Sequence, residues 1–150
     1  MKIRRATEAD LELMQGLWDA FTKEATFTPY PGSPFDPSLV VEHIALVAQE
    51  GEAVVGTVYM NTSSPDFGYV FGLYVVPEAR RRGIARALMR EVARILRDQG
   101  RAYVVLTVDT PNEEARALYA ELGFEDAGRS LRAEVGQLVE DADRVSSKTP

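Results

Sequence analysis

The sequence predicts a mixed α/β fold in which helices cover the faces of one sheet. Residues 44–77 consist of β-rich runs separated by short turns, as in a meander. A strongly amphipathic segment follows over residues 83–98, and a second apolar run, "AYVVLTV", comes directly after it. A strand, a crossover helix and another strand after a meander indicate a mixed sheet with helices packed against it.

Length and composition restrict the classes of protein. At 150 residues and 16.6 kDa the chain is most economically one domain over residues 1–140, with a frayed tail over 141–150. No apolar run approaches the ~20 residues of a membrane span, and the N-terminus lacks the apolar segment of a signal peptide. We therefore expect a cytoplasmic protein with no membrane partner. The net charge of −6 argues against nucleic-acid binding, and the absence of cysteine excludes a thiolate metal site, so no metal is expected.

The first elements are a short strand and a helix. Residues 2–5 predict the strand, and Thr7 with Asp10 is typical of a helix N-terminus. The apolar residues that follow recur at helical spacing: Leu11, Met14, Leu17, Trp18 and Phe21. The proline-rich stretch "TFTPYPGSPFDP" excludes a long helix and a central strand. It is either an ordered surface loop held by its aromatic side chains or a lid beside the substrate, and a short helix is predicted over residues 37–43.

The central part predicts three strands and the best-defined helix. Residues 50–52 separate two β-rich runs, which is typical of a hairpin, and "NTSSPDF" precedes a third run that Pro77 ends. Over residues 83–98, apolar positions recur every three or four residues opposite a stripe of arginines. Gly100 ends this helix, and we expect the following strand to be buried on both faces.

A second well-marked helix is predicted at "DTPNEEARALYAELGF". Thr110 and Pro111 suit its first positions, Gly123 suits its end, and another strand is predicted from Phe124. Beyond this point the pattern weakens, and residues 131–139 are typical of either a last strand or a poor helix.

Three consecutive arginines precede a glycine at the junction between the meander and the long helix. Arg80, Arg81 and Arg82 are followed by Gly83 and Ala85, whose small side chains would let a phosphate approach the backbone. The first turn of a helix has free N–H groups and a partial positive charge, so it is a natural anion site. The alternative is a loop glycine beside solvated arginines. The spacing matches neither the phosphate loop nor the dinucleotide glycine fingerprint, which disfavours nucleotide hydrolysis and nicotinamide chemistry.

"LYVVPEARRRGIARALM" followed by "NEEARALYAELGF" resembles the GNAT superfamily of N-acetyltransferases. The first segment matches the family's acetyl-CoA motif, Arg/Gln-x-x-Gly-x-Gly/Ala, through Arg80, Gly83 and Ala85. The second matches its later motif at Asn112, Ala115, Leu118, Tyr119, Gly123 and Phe124. The resemblance implies a GNAT-like fold, with a mostly antiparallel sheet, a parallel and splayed central strand pair and flanking helices. It also implies direct transfer of an acetyl group from acetyl-CoA to a primary amine in a ternary complex.

The resemblance implies a cofactor site as well. Backbone amides from Arg81 to Arg86 would hold the CoA pyrophosphate, and a bulge in the preceding strand would open a gap for the pantetheine arm. The N–H of Val75 would polarise the thioester carbonyl. The implied cofactor-binding residues are Leu73, Tyr74, Val75, Arg80, Arg81, Arg82, Gly83, Ile84, Ala85, Arg86 and Asn112.

Two motif residues carry alternatives. From spacing alone, Asn112 suits a cap of its own helix as well as a cofactor contact. Tyr119 is implied as the general acid that protonates the departing thiolate, because a tyrosine of pKa ~10 is not far from a thiol of ~8.5. Without the motif, Tyr119 would be taken as a half-buried packing residue.

The acceptor side of the site is less defined. Ribosomal-protein N-terminal acetyltransferases place a glutamate base five residues before the motif asparagine, where this chain has Thr107. The remaining candidates are Glu24, His43, Asp66 and Asp109, and none stands out. The weak C-terminal pattern leaves either a short last strand or one borrowed in a homodimer. Net acidity hints at a cationic amine, while a longer acyl-CoA donor and a non-catalytic acyl-CoA sensor remain alternatives.

Overall fold

The computed structural model describes residues 1–24, 34–108, 112–128, 131, 133 and 135–139. They belong to two compact units, Met1–Arg116 and Ala117–Pro150. The elements are β1 (Lys2–Arg5), α1 (Leu11–Glu24), α2 (Ser38–Val41), β2 (Ile44–Glu50), β3 (Ala53–Asn61), β4 (Phe67–Val75), α3 (Ile84–Asp98), β5 (Tyr103–Leu106) and α4 (Glu113–Glu121). Short 3₁₀ turns, Glu8–Asp10 and Pro77–Ala79, precede α1 and follow β4. The single domain over residues 1–140 stays a prediction, and the tail over 141–150 lies outside the described residues.

The first unit contains one mixed sheet, as the sequence predicts. Its described strands lie in the order β1-β2-β3-β4-β5. The first four pair antiparallel, and β4 pairs parallel with β5, with α3 as the crossover between them. A parallel pair needs such a crossover because its strands cannot be joined by a tight turn. Among the described residues, no helix is long and apolar enough to cross a bilayer.

The two faces of the sheet are covered by different helices. On one face, Met14 and Trp18 of α1 pack against Tyr59 of β3, and Met14 is fully buried. On the other face, Leu88 of α3 is fully buried and comes so close that a Cβ on Gly56 would be 3.3 Å from its Cδ1. Burial of these apolar side chains is the main stabilising contribution to the unit.

Arg4 connects β1 to the beginning of α1. Its guanidinium donates two hydrogen bonds to Asp10, at 2.8 and 2.9 Å, and its Nε donates one to Gln49 at 2.8 Å. The Thr7 N–H also donates to the Asp10 carboxylate, at 2.8 Å, as expected for a residue that closes a helix N-terminus. Chiefly through the Arg4 contact, the pKa of Asp10 is lowered to about 2. This carboxylate therefore stabilises the folded state only while it is ionised.

The predicted hairpin turn and the glycines predicted to end two helices are confirmed. The hairpin between β2 and β3 turns at Gly51, whose φ is +59°. Gly100 ends α3 with φ +74°, and Gly123 follows α4 with φ +95°. Glycine adopts these left-handed conformations with little cost, which is why it marked these boundaries in the sequence.

The expectation that β5 is buried on both faces was wrong. Tyr103 is 70% exposed and Val105 is 36% exposed, while Val104 and Leu106 are partly buried. By register, Tyr103 and Val105 lie on the face that α1 covers, and α1 packs mainly over β3 and β4. The apolar composition of the strand did not show how far that helix reaches.

The predicted strand from Phe124 was also wrong. Residues 124–128 form no strand, and residues 135–139 are helical. Of the stretch for which the sequence left a strand or a poor helix open, residues 135–139 therefore follow the helical alternative. The proline-rich segment lies mostly outside the described residues, and so do Thr110 and Pro111. Of that segment's aromatic side chains, Phe35 is described, and its ring centroid is 6.2 Å from that of Trp18.

Candidate active site

β4 carries an extra residue opposite β3. Thr57 pairs with Tyr74 and Tyr59 pairs with Phe71, so two steps along β3 face three along β4. Gly72 lies in this bulge with φ +64°. A Cβ there would be 2.6 Å from Cδ2 of Tyr59, so both backbone conformation and packing require glycine. Glycine inside the β-rich run "YVFGLYVV" was the sequence signal that could have located the bulge.

The parallel pairing of β4 with β5 ends immediately before the bulge. The last paired residues are Val70 and Leu106. β5 ends there, whereas β4 continues to Val75. Within the described residues, the stretch from Phe71 to Val75 therefore has an edge that β5 does not cover, which is the splayed geometry that the resemblance implied.

The polar groups of Val75 face this uncovered edge. The next residue, Val76, donates its N–H to the Val55 carbonyl in β3 at 2.9 Å. The Val75 carbonyl instead accepts from Nε of Arg80 at 2.9 Å. In an extended strand the N–H and C=O of one residue point to the same side, and neighbours alternate. The Val75 N–H therefore points away from β3.

The loop between β4 and α3 contains two left-handed residues and leads into the unbonded N–H groups of the first turn of α3. Gly83 is the N-cap of α3 with φ +79°, and Arg81 has φ +62°. The first intrahelical bond runs from the Ala87 N–H to the Gly83 carbonyl at 3.0 Å, so the first-turn amides have no helical partner. A left-handed arginine costs roughly 1 kcal/mol, a cost that is typical of functional loops. Such turns bind anions.

The surroundings of Gly83 are open among the described residues. A Cβ built on Gly83 would meet no protein atom within 4 Å. Packing therefore does not explain the glycine, although its positive φ does. The loop fits a pyrophosphate, because it combines exposed N–H groups, the positive end of the α3 dipole and room for close approach.

Two of the three arginine side chains of this loop are bound to carboxylates. Arg80 donates to Glu24 at 2.7 Å, and Arg82 lies 3.2 Å from a carboxylate oxygen of Glu50. Arg81 is exposed. The loop over residues 76–83, between β4 and α3, is called the anion loop below. The guanidinium of Arg80 folds back toward β4 instead of adding its charge to this loop, which sequence alone could not reveal.

Asn112 caps α4. Its Oδ1 accepts the Ala115 N–H at 3.2 Å, and its carbonyl accepts the Arg116 N–H at 3.0 Å. This is the capping alternative that the sequence left open. The side-chain NH₂ is not used by the cap, so the cofactor contact of Asn112 stays a prediction that involves this donor.

Tyr119 lies in the second unit. Its ring packs edge-on against Phe124 at 5.5 Å, and the Phe124 N–H donates to its carbonyl at 2.9 Å, after the turn at Gly123. Burial raises the pKa of Tyr119 to about 12. The phenol therefore stays protonated at neutral pH, but its match to a thiol of pKa ~8.5 is poorer than the sequence suggested.

The candidate bases lie at different ends of β4. The Asp66 carbonyl accepts the Ala102 N–H at 3.3 Å, just before β4 begins, so this residue is roughly 25 Å from Val75 along the strand. His43 lies just before β2. The first residue of β2, Ile44, pairs with Met60 of β3, and Met60 pairs with Val70 of β4. Glu24 contacts Tyr74 and Arg80 at the Val75 end.

Two further positions were named from the sequence. Asp109 lies outside the described residues. The Thr107 hydroxyl accepts a hydrogen bond from Tyr69 at 3.1 Å. No group of three or more histidine or carboxylate side chains in the described part of the chain could hold a metal ion.

Comparisons with known proteins agree with this geometry. A sequence model of the acetyltransferase (GNAT) family matches residues 11–124. Human N-acetyltransferase 8 is 40% identical over 90 residues, which are 57% of this chain and 40% of that protein. Rat N-acetyltransferase 8B is 39% identical over 98 residues, which are 62% of this chain and 44% of that protein. The matches to these two relatives thus span less than half the length of each.

Solved structures share the fold at low identity. An aminoglycoside acetyltransferase from an uncultured soil metagenomic sample is 24% identical, with a TM-score of 0.71 over 89% of this chain and 97% of its own. Aminoglycoside acetyltransferase AAC(6')-Iy, in complex with a CoA bisubstrate analogue, is 21% identical, with a TM-score of 0.74 over 89% and 96%. The ribosomal-protein-alanine N-acetyltransferase from Brucella melitensis biovar Abortus 2308 is 21% identical, with a TM-score of 0.73 over 89% and 99%. Because the family match covers most of the chain and both motif segments, this protein belongs to the GNAT family of acetyltransferases.

Proposed function

We propose that this protein is an acetyl-CoA-dependent N-acetyltransferase that acetylates a primary amine by direct attack in a ternary complex. The observation that carries the proposal is the combination, within one unit, of an uncovered β4 edge beyond Val70 and an N–H-lined loop at Gly83. A strand edge of this kind can pair with the amide groups of a pantetheine arm, while the loop suits its pyrophosphate. Acetyl-CoA supplies the acetyl group as an activated thioester.

In this proposal the chain contributes mostly backbone groups to the cofactor. The amides from Arg81 to Arg86 bind the pyrophosphate, and the exposed Arg81 side chain adds charge. The backbone groups of Leu73 and Val75 pair with the arm along the strand edge, and Tyr74, whose backbone groups face β3, lies between them. The Val75 N–H, which points away from β3, donates to the carbonyl oxygen as negative charge develops there. A preoriented donor of this kind is worth about 2.7–4 kcal/mol of transition-state stabilisation in well-studied enzymes.

Two residues of α4 complete the proposed machinery. Tyr119 protonates the departing thiolate, since its phenol carries a proton at neutral pH. The Asn112 side-chain NH₂ donates to the cofactor while its oxygen caps the helix. Both roles rest on the family resemblance and on their positions seven residues apart on one helix face.

The proposed acceptor is an amine that is cationic in solution. A lysine-like amine of pKa ~10.4 is neutral in only about one part in 2,500 at pH 7, so it must lose a proton before attack. We assign no side chain as the base, and solvent water would suffice for an amine of low pKa. Aminoglycosides and protein termini are the acceptor classes that the similar proteins' names suggest, and the net charge of −6 suits either. The cytoplasmic location and the homodimer stay predictions.

Two measurements test the proposal in sequence. In a thermal-shift titration, acetyl-CoA at a hundred times its Kd should stabilise the fold by about 2.7 kcal/mol. Incubation with an amine panel should then release free thiol. Failure of acetyl-CoA and CoA to stabilise the protein would overturn cofactor binding. Stabilisation without thiol release would favour an acyl-CoA sensor, and preferential stabilisation by longer acyl-CoAs would change the donor.

A further inference from the structure

Glu24, the last residue of α1, joins two residues at the far end of β4. Its Oε2 accepts a hydrogen bond from Arg80 at 2.7 Å, and its Oε1 accepts one from the Tyr74 hydroxyl at 3.3 Å. These partners are 56 and 50 residues away in sequence. Both carboxylate oxygens are therefore used, which makes Glu24 a poor candidate for binding an acceptor cation or acting as a base.

Arg80 makes three contacts in the same place. Besides the Glu24 bond, its Nε donates to the Val75 carbonyl at 2.9 Å, and its guanidinium carbon lies 5.5 Å from the centre of the Tyr74 ring. The Arg80 N–H also bonds the Pro77 carbonyl at 3.3 Å, so backbone and side chain both close the turn after β4. One side chain thus ties the end of β4 to the start of the anion loop.

We propose that Glu24 is a positioning residue for acetyl transfer, because it holds Arg80 against the Val75 carbonyl and so fixes the backbone that presents the Val75 N–H. The inference rests on the proposed function. The contact would fix the distance between the Val75 N–H, which would polarise the thioester, and the anion loop, which would bind the pyrophosphate. Both groups would contact the same cofactor.

This role concerns geometry more than stability. The Arg80 and Glu24 side chains are 36% and 47% exposed, and ion pairs in such positions contribute little to the free energy of unfolding. The pair Glu91–Arg94 has the same chemistry but joins two residues of one helix, α3. If Glu24 acted only as a surface charge, removing either carboxylate would have the same effect.

The kinetic test compares Glu24→Gln with Glu91→Gln in the full chain. We expect Glu24→Gln to lower kcat about tenfold or more with the KM for acetyl-CoA changed less than about threefold, because small misplacements cost this much in rate. Glu91→Gln should leave both unchanged. Arg80→Lys keeps the charge but loses Nε, and the double variant Glu24→Gln/Arg80→Lys should be no slower than Arg80→Lys, since both act through one contact.

Several results would overturn the proposal. If Glu24→Gln behaves like Glu91→Gln, Glu24 does not position the site. If its effect lies wholly in the KM for acetyl-CoA, Arg80 acts on the pyrophosphate. If it lies wholly in the KM for the amine, Glu24 contacts the acceptor.

A second readout does not depend on activity. Hydrogen exchange of the Val76 amide, which bonds the Val55 carbonyl, should become at least about fivefold faster in Glu24→Gln and stay unchanged in Glu91→Gln, because the strand end loses a constraint. Loss of the proposed function would appear as no thiol release from the unmodified protein, whatever the exchange rates. Unchanged exchange in Glu24→Gln would contradict the positioning role even in an active enzyme.

Discussion

The ring of Tyr59 lies directly against the backbone of Gly72, across the β3–β4 pair. The aromatic ring also stacks on Phe71 at 5.5 Å and meets Trp18 edge-on at 5.5 Å. An aromatic cluster of the core thus packs against the bulge of β4 on the face that α1 covers. The shape of the candidate site depends on a packing contact as well as on backbone preference.

Replacing Gly72 with alanine should damage the fold and the site together. The methyl group would lie 2.6 Å from Tyr59 Cδ2 at a φ of +64°, and overpacking together with backbone strain should cost about 2–4 kcal/mol in denaturant unfolding. Gly16→Ala in α1 is the control, since a Cβ there meets nothing within 4 Å. It should stabilise by about 0.5–1 kcal/mol. Equal effects of the two substitutions would show that the bulge has room for a side chain.

Tyr59→Phe should leave the protein at least as stable. The Tyr59 hydroxyl is buried and has no hydrogen-bond partner among the described residues. Burial raises the pKa of the Tyr59 hydroxyl, and the nearby Thr57 side chain lowers it in part. The geometry between the two side chains does not meet the criteria of a hydrogen bond. Removing an unsatisfied hydroxyl should change the free energy of unfolding by 0 to about +1 kcal/mol. A loss above about 1 kcal/mol would mean that the hydroxyl has a partner.

Gly83→Glu should weaken CoA binding by at least about tenfold, because a carboxylate would occupy the anion loop and repel the pyrophosphate. Gly100→Glu is the matched control. Gly100 also has a positive φ and open space around it, but it lies at the other end of α3. Both substitutions should reduce stability by about 1 kcal/mol. If calorimetric titration gave the same Kd for CoA in both variants, the loop would not be the pyrophosphate site.

Tyr119→Phe should lower kcat by about 10²-fold or more while the Kd for acetyl-CoA stays nearly constant, because only protonation of the thiolate is lost. Stopped-time assays of thiol release and a binding titration separate the two quantities. Tyr103→Phe, on exposed β5, is the control and should match the unmodified protein. Unchanged turnover in Tyr119→Phe would assign the proton to another donor.

Stability should fall at acid pH through Asp10. Its folded pKa of about 2 lies below the value of ~3.9 in the unfolded chain, so its contribution is present above pH ~4 and lost as the pH falls toward 2. The amount is about 2 kcal/mol. Unfolding curves of Asp10→Asn should show lower stability at neutral pH and a flatter dependence between pH 4 and 2. A variant with the same pH dependence as the unmodified protein would place the acid sensitivity elsewhere.

The elements that the sequence determined by itself are those with local causes. The apolar repeat of α3 and its stop at Gly100, the hairpin at residues 50–52 and the end of β4 at Pro77 all appear as predicted. The anion loop around Gly83 could also be inferred, because helix N-termini carry free N–H groups whatever surrounds them. In each case the physical cause acts over a few residues.

Tertiary structure alone decided the contacts between distant segments. Gly72 is the centre of a bulge because Tyr59 packs against it. Half of β5 is exposed because α1 stops short of it. The Arg80 side chain contacts Glu24, 56 residues away, instead of the anion loop. Backbone preferences depend on nearest neighbours, but a long polar side chain finds its partner only after the chain has folded. The sequence therefore predicted the candidate site, and packing determined which partners its side chains contact.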